Sequence, residues 1–412
     1  MKAPEHDRKD LGLGTRLVDF DACPEDPYRP TSTPLYQTAT FAQEDPGELG
    51  AYDYSRSGNP TRTVLERQVA ELERGTAGFA FASGMAAIAA VLRQVRPESR
   101  VVVGDDLYGG TYRLLLRIVA PMGVDVVRVD TRDLAALEQA IVGGPTVLVW
   151  IETPSNPLQE VTDIRAVAEL AHRYGARLAV DNTMLSPYLQ RPLELGADYA
   201  VHSATKWLSG HADLTAGVVV VASDEIAEDV RFVQNAEGTA LAPFEAWLLL
   251  RGLKTLGIRL DRQQANARRI AATLRARPEV TALHWIGKED HPDRSVHVRQ
   301  ADGDGAVLSF CTGNEELSTR IVAATRLFAT TVSFGSLHST ISLPCRMSHA
   351  SIPEESRGSR CLPPDLVRIS VGIEDVDDLI ADLARAFTMS TRPGDVSRRP
   401  RRTSSPATAR LG

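Results

Sequence analysis

The chain has 412 residues, of which 43% are hydrophobic and 24% charged, and its formal net charge is −7. This length is sufficient for one large domain and a smaller one, each with a real core. The acidic balance argues against nucleic-acid binding, and no apolar run approaches the ~20 residues that span a bilayer. The charged start lacks a signal-peptide stretch, and the four cysteines show no C-x-x-C pairing. Composition therefore predicts a cytoplasmic globular protein that binds neither nucleic acid nor membrane.

Residues 1–60 are rich in Pro, Thr and Tyr and show little periodicity, as in DPYRPTSTPLYQTATF and AYDYSRSGNPTR. We expect an extended N-terminal arm that needs another surface to lie on.

Residues 61–250 are predicted to form the large domain, because short apolar strands alternate there with segments of helical spacing. The helical segments include GMAAIAAVLRQV, RDLAALEQAI and IRAVAELAHRYG. The β-rich runs are GFAFAS, RVVVGDD, TVLVWIET, RLAVDNT, DYAVHSAT and AGVVVVAS. Such alternation predicts an α/β fold with a mainly parallel sheet and helices on both faces.

Residues 251–388 are predicted to form a smaller C-terminal α/β domain. A strongly helical stretch from APFEAWLLL to IAATLRA is long enough to bridge the two domains. The strand-like runs AVLSFCT and VRISVGI and the helical DVDDLIADLARAF follow it. Residues 389–412 are Arg-, Pro- and Ser-rich without periodicity, which is typical of a disordered tail.

Polar residues follow the apolar runs, where ligands bind in an open parallel sheet. A strand ends at Ser83 and a helix begins at once, so the N–H groups of Gly84 and Met85 form an anion site. Small residues at such a turn also serve packing, so this signal alone is weak. Strand alternation places the Ser203 and Thr205 hydroxyls on one side, where they can add donors to a phosphate.

Asp181 and Lys206 each follow an apolar run, and each alone has a structural explanation. Asp181 could cap the turn DNTMLSP, and Lys206 could be a surface lysine, although only 5 residues are Lys against 41 Arg. A lysine desolvated in a cleft, however, has a lowered pKa and acts as a Schiff-base nucleophile. An acid, a lysine, an aromatic ring and phosphate donors together predict pyridoxal 5'-phosphate as the cofactor.

Several motifs resemble, in order, those of the Cys/Met-metabolism enzymes that use pyridoxal phosphate. This family includes cystathionine γ-synthase, the cystathionine lyases and methionine γ-lyase. The resemblance covers about residues 30–388 and is carried by YDYSRSGNPTR, SGMAA, DDLYGGTYR, ETPSNP, VDNTMLSP, VHSATKWLSGHAD, NAEGTALAPFEAWLLLRGLKT, MSHASIPEESR and LVRISVGIEDVDDLIADL. It implies the aspartate aminotransferase-like fold (fold type I), with a seven-stranded sheet, and a homotetramer of two catalytic dimers with shared active sites.

The resemblance also implies roles for the residues that bind the cofactor. Lys206 would carry the aldehyde as a Schiff base and shuttle protons, Asp181 would pair with the pyridine nitrogen, and Tyr108 would stack on the ring. The phosphate would be held by Gly84, Met85, Ser203 and Thr205, joined by Tyr54 and Arg56 from the neighbouring subunit's arm.

The resemblance also implies an amino-acid substrate and assigns its α-carboxylate to Arg368, with Ser333 and Asn156 nearby. A bidentate Arg suits that role. Val332 stands where many γ-synthases and γ-lyases carry Glu, and Gly110 where methionine γ-lyases carry Cys. The pattern is most similar to the plant-type cystathionine β-lyases, which implies β-elimination of cystathionine to homocysteine, pyruvate and ammonia.

A γ-elimination or γ-replacement enzyme is the alternative, including a relative recruited to specialised metabolism. Met184 and His338 depart from the usual residues and are expected to line the substrate pocket. Other classes fit poorly. The nine histidines show no metal-binding spacing, and neither a G-x-G-x-x-G after the first strand nor a G-x-S-x-G is present. No metal is predicted.

Overall fold

Two β-sheets organise the chain, and helices cover both faces of the larger one. The computed structural model describes residues 11–20, 26, 28–347 and 362–391. The helices are α1 Leu13–Val18, α2 Pro60–Glu73, α3 Gly84–Leu92, α4 Gly109–Leu114, α5 Leu134–Val142, α6 Ile164–Arg173, α7 Ser186–Leu189, α8 Asp224–Glu237, α9 Pro243–Leu253, α10 Leu256–Arg275, α11 Arg294–Gln300, α12 Glu315–Ala324 and α13 Val376–Thr391. The strands are β1 Ala77–Phe81, β2 Arg100–Gly104, β3 Asp125–Val129, β4 Thr146–Glu152, β5 Arg177–Asp181, β6 Tyr199–His202, β7 Gly217–Val221, β8 Ala282–His284, β9 Val307–Cys311, β10 Ala329–Thr330, β11 Thr340–Ser342 and β12 Val367–Ser370.

The larger sheet has seven strands in the order β1-β7-β6-β5-β4-β2-β3. Strands β6, β5, β4, β2 and β3 pair in parallel, whereas β7 runs antiparallel to both β1 and β6. The prediction of a mainly parallel, seven-stranded sheet is therefore confirmed. Because the carboxyl ends of parallel strands lie at one edge, the residues that follow β2, β4, β5 and β6 meet there.

Strand β7 shows how the two faces of this sheet are covered. Val219 and Val221 belong to an apolar cluster that includes residues of α3 and α8. Val218 and Val220 point to the opposite face, into a cluster with residues of α2, α9 and α10. The uninterrupted run GVVVV is thus explained by burial on both sides.

The smaller sheet has the order β10-β11-β12-β9-β8 and is antiparallel except for the β10–β11 pair. The predicted helical bridge before it consists of two helices, α9 and α10. Arg259 of α10 is buried and donates to the carbonyl oxygens of Trp207 and Gly252, at 2.9 and 2.8 Å. This side chain ties the turn that carries Lys206 to the junction of the two helices.

Three local features differ from the sequence prediction. Strand β3 was not predicted; it lies at the sheet edge, and none of its five residues is fully buried. Part of the arm is helical rather than extended, since α1 buries Leu17 in the core. Helix α13 continues to Thr391, three residues into the predicted tail, and the rest of that tail lies outside the described residues.

The two sheets fall within the segments predicted as the large and small domains, and the boundaries themselves stay predictions. No helix in the described part of the chain is long and apolar enough to cross a membrane.

Candidate active site

Lys206 lies in a tight turn directly after β6. Its backbone N–H donates to the Ser203 carbonyl at 3.0 Å, and its carbonyl accepts from Gly210 at 2.8 Å. Strand alternation therefore ends at His202 and does not set the direction of the lysine side chain. The ammonium group donates to the Ser333 hydroxyl and lies 5.2 Å from the centre of the Phe334 ring.

Burial and the nearby Arg368 charge lower the pKa of Lys206 to about 8. The sequence had predicted a desolvated lysine with a lowered pKa. A neutral amine is the form that attacks an aldehyde, so a substantial fraction of Lys206 is reactive near neutral pH.

We expect the rate at which the apoprotein takes up pyridoxal phosphate to rise with pH and to level off above about pH 8. Below this pH the Lys206 amine is protonated and cannot attack, whereas an unperturbed lysine would keep accelerating towards pH ~10.4. Stopped-flow absorbance of the bound cofactor over this pH range measures the midpoint. A midpoint near that of free lysine would contradict the expectation.

Asp181 ends β5 and is only 6% exposed. Its Oδ1 accepts hydrogen bonds from the N–H and the hydroxyl of Thr183, at 3.0 and 2.5 Å. Burial raises the pKa of Asp181, although the Thr183 bonds, His202 and Lys206 oppose this shift. Both of these bonds go to Oδ1, and no described residue donates to Oδ2, which leaves this oxygen available to a cationic ring nitrogen.

The predicted phosphate site lies at the start of α3. The Ser83 hydroxyl caps this helix by accepting from the Ala86 N–H at 3.1 Å, while the first N–H groups of a helix have no partner within it. A Cβ added at Gly84 would lie 2.9 Å from the Ser203 Cβ. The lack of a side chain at Gly84 therefore allows the start of α3 to lie against Ser203, just after β6. The Thr205 hydroxyl instead donates to the Ala216 carbonyl at 3.2 Å.

Replacing Gly84 with Ala is expected to lower cofactor affinity about tenfold, since overpacking of this kind costs about 1–3 kcal/mol. The added methyl group would push against Ser203 at the phosphate site. Gly104→Ala is the matched control, because its Cβ would meet its nearest atom at 3.7 Å, an ordinary contact. Equilibrium titration of each apoprotein with the cofactor gives the comparison; equal affinities would contradict the expectation.

Tyr108 is positioned by two neighbours at the start of α4. Its N–H donates to the Glu152 Oε2 at 2.8 Å, and its ring is 41% exposed. A Cβ at Gly110 would lie 2.4 Å from the Tyr108 ring and 2.6 Å from the Met85 sulfur. Glycine is therefore required for the ring to lie as it does. Burial and the charges of Asp181 and Asp106 raise the pKa of Glu152 well above its usual value.

Arg368 of β12 is 3% exposed and reaches across to the larger sheet. Its guanidinium donates to the Asn156 side-chain oxygen at 3.1 Å and to the Ser333 carbonyl at 2.8 Å. Burial lowers the pKa of Arg368 to about 10, and in the described part of the chain no carboxylate is paired with it. The predicted carboxylate-binding residues thus lie together beside Lys206.

Val332 is 52% exposed and borders a cleft of about 510 Å³ that also reaches Thr205 and Ser333. The single charged side chain in its described lining is Asp213. Met184 lies in the core rather than in this cleft, because it is 4% exposed and belongs to the main apolar cluster. His338 is exposed and does not line the cleft. Neither residue lines this cleft, and their place in the substrate pocket stays a prediction.

Tyr54 and Arg56 lie in the arm and stack on each other, with the guanidinium 5.1 Å from the ring centre. Arg56 donates to the Asn235 side chain at 3.3 Å. Within a single chain, the described contacts do not bring either residue to Lys206 or Asp181.

A family model described as Cys/Met metabolism PLP-dependent enzyme matches residues 14–388. The chain belongs to this family. It is therefore a pyridoxal-phosphate enzyme, and the predicted cofactor and lyase class are confirmed. The residues present fit this cofactor. Lys206 provides an amine with a lowered pKa, and Asp181 provides a buried carboxylate with one oxygen available. The N-terminus of α3 lies close to Ser203, where only glycine fits at position 84.

Over 380 residues the enzyme is 51% identical to a chloroplastic cystathionine beta-lyase of Arabidopsis thaliana, covering 92% of this chain and 82% of that protein. It is 46% identical to a cystathionine gamma-lyase of Bacillus subtilis, covering 86% of this chain and 94% of the relative. The crystal structure of a Lactobacillus plantarum cystathionine gamma-lyase with L-serine matches with a TM-score of 0.89 and 41% identity, covering 92% of this chain and 99% of the other. These matches confirm fold type I and the resemblance to plant-type β-lyases.

The prediction of a cytoplasmic location is wrong on these comparisons, since the plant relatives are named chloroplastic enzymes. Charge, cysteine count and the absence of a long apolar run carried that prediction. None of these properties specifies a compartment.

Proposed function

We propose that the enzyme cleaves L-cystathionine by β-elimination to give homocysteine, pyruvate and ammonia. The observation that carries this proposal is the hydrogen-bonded arrangement of Lys206, Ser333 and the buried Arg368 in a chain 51% identical to a cystathionine beta-lyase. Val332, which is exposed and uncharged, borders the cleft. Many γ-type enzymes carry Glu at this position, where its carboxylate would bind the distal ammonium group of cystathionine.

Each residue of the site has a task in this reaction. The bound cofactor supplies an electrophilic aldehyde and a ring that withdraws the electron pair left at Cα. Arg368 and Asn156 bind the α-carboxylate and fix the substrate's orientation. The Lys206 amine removes the Cα proton, and Asp181 holds a proton at the pyridine nitrogen. As the Cβ–S bond breaks, Lys206 passes the proton from Cα to the sulfur, so homocysteine leaves as the thiol. The remaining 2-aminoacrylate is hydrolysed by water to pyruvate and ammonia.

The cofactor phosphate is assigned to the N–H groups of Gly84 and Met85 and to the hydroxyl of Ser203. The Thr205 hydroxyl is assigned to the phosphate as well, which requires that its hydrogen bond to the Ala216 carbonyl breaks. Tyr108 covers the ring face from a backbone position held by Glu152.

We also propose a homotetramer in which Tyr54 and Arg56 complete the phosphate site of a neighbouring subunit. What supports this is the exposure of the arm, where Tyr54 is 42% exposed and Leu49 66% exposed. Light scattering measures the oligomeric state. The variant Arg56→Ala is expected to bind the cofactor more weakly, because it removes the guanidinium that the arm contributes.

γ-Elimination is the second candidate, because the B. subtilis relative is named a cystathionine gamma-lyase. Recruitment to another amino acid has a precedent in the relatives named mimosinase, from Mimosa pudica and Leucaena leucocephala.

The products of purified enzyme with L-cystathionine decide between these candidates. β-Elimination releases pyruvate with homocysteine, whereas γ-elimination releases 2-oxobutyrate with cysteine. Coupled dehydrogenase assays distinguish the two oxo acids, and thiol chromatography distinguishes the two amino acids. Absence of all four products would overturn cystathionine as the substrate.

A further inference from the structure

A buried polar pair with no role in the chemistry above lies next to the ends of β5 and β6. The His202 Nε2 is 2.6 Å from the Glu73 Oε1, and the two side chains are 2% and 1% exposed. The same Glu73 oxygen accepts from the Asn182 side-chain amide at 3.0 Å. One carboxylate at the end of α2 therefore holds two side chains that come from different strands.

These two side chains belong to the sequence neighbours of the active-site residues. Asn182 directly follows Asp181, and His202 directly precedes Ser203 in the turn that leads to Lys206. The Asn182 N–H also donates to the Val201 carbonyl at 2.8 Å, just past the register pair of Asp181 and Val201. The contacts of Glu73 thus reach both strand ends that carry the cofactor-binding groups.

Stability does not explain why a carboxylate stands at this position. Glu73 is the last residue of α2, where the helix dipole disfavours a negative charge. Its Oε2 and the His202 Nδ1 have no hydrogen-bond partner in the described structure. Replacing a buried pair of this kind with apolar residues is often neutral or stabilising, so its presence points to the site beside it.

We propose that Glu73, together with His202 and Asn182, forms a positioning unit that fixes the ends of β5 and β6, and with them Asp181 and the turn that carries Lys206. The inference rests on the role proposed for Asp181 and is independent of which substrate is cleaved.

The position of Asp181 matters because other acidic groups lie close to it. Glu152 of β4 is its register partner, and Asp106 after β2 adds a further acidic group at this edge, as its influence on Glu152 indicates. Asp181 must therefore be held where its carboxylate, and not that of a neighbour, meets the cationic ring nitrogen of the cofactor.

The test is the affinity for pyridoxal phosphate, measured by equilibrium titration and followed by the absorbance of the bound cofactor. In Glu73→Leu the His202 and Asn182 side chains lose their shared hydrogen-bond partner, so cofactor affinity is expected to fall about tenfold. Glu73→Gln keeps a side-chain oxygen at this place and is expected to restore most of that affinity.

Glu66→Leu is the matched control. Glu66 is also a carboxylate of α2, but it is half-buried, lies 3.6 Å from Arg62, and accepts from the Ala80 N–H and the Gln234 side chain, at 2.9 and 3.2 Å. If Glu73→Leu changes the melting temperature as Glu66→Leu does and leaves cofactor affinity unchanged, Glu73 is merely structural and the inference is overturned. A wild-type protein that binds no pyridoxal phosphate would overturn the proposed function instead.

Discussion

Replacing Lys206 with Ala is expected to abolish turnover, with kcat falling about 10³-fold or more, because the same amine acts as nucleophile and as proton carrier. The variant is also expected to lose the visible band of the lysine-bound cofactor. Asp181, Arg368 and the start of α3 remain in place, so free cofactor should still bind, with lower affinity. Absorbance spectroscopy and steady-state kinetics measure the two effects.

The variant Lys206→Arg distinguishes the role of the positive charge from that of the reactive amine. A guanidinium keeps the charge but does not form the Schiff base. The arginine variant is expected to be as inactive as the alanine variant. Lys254→Ala is the control, because the Lys254 ammonium contacts only the Val18 carbonyl, at 3.4 Å, among the described residues. Retention of the visible band in Lys206→Ala would mean that another amine holds the aldehyde.

Ser333 connects the two cations that this chemistry needs. Its hydroxyl accepts from Lys206 and its carbonyl accepts from Arg368. Its φ of 82° lies in the left-handed region, which costs a non-glycine residue about 1–3 kcal/mol. Contacts with both cations compensate for that cost. The carboxylate-binding arginine and the reactive amine are therefore held relative to each other through a single residue.

The sequence identified candidate site residues where they directly follow an apolar strand. Lys206 and Asp181 could be found because each follows a buried apolar run, and Gly84 because it opens a helix. Strand β3 escaped detection because its edge position leaves its five residues half-buried or exposed. Periodicity detects alternation between buried and exposed positions, and this strand has little of it.

Contacts between distant parts of the chain could not be predicted from the sequence. Glu73 and His202 are 129 residues apart, and Tyr108 and Glu152 are 44 apart. Met184 lies in the turn that follows Asp181, yet its side chain packs in the core. Which side of a turn a residue occupies depends on packing that local pattern does not encode.

Replacing Arg368 with Lys is expected to raise KM and to lower kcat/KM about 30-fold to 1,000-fold, as expected for about 2–4 kcal/mol of lost binding to a buried charge. Lysine keeps the positive charge but lacks the planar pair of donors that matches a carboxylate. The cofactor spectrum should be unchanged, because Arg368 donates to Asn156 and Ser333 and lies over the Phe334 ring, and none of these three is assigned to the cofactor.

Arg16→Lys controls for the loss of any buried guanidinium. Arg16 is 4% exposed, nearly as buried as Arg368, and donates to the Glu71 carbonyl at 3.1 Å. Both variants should lose stability, and only Arg368→Lys should change KM. The pKa of Lys206 provides a second readout, since the Arg368 charge helps to lower it. Arg368→Ala should therefore shift the pH midpoint of cofactor uptake upwards, whereas Arg368→Lys should leave it nearly in place. Equal midpoints in all three proteins would mean that burial alone lowers the pKa of Lys206.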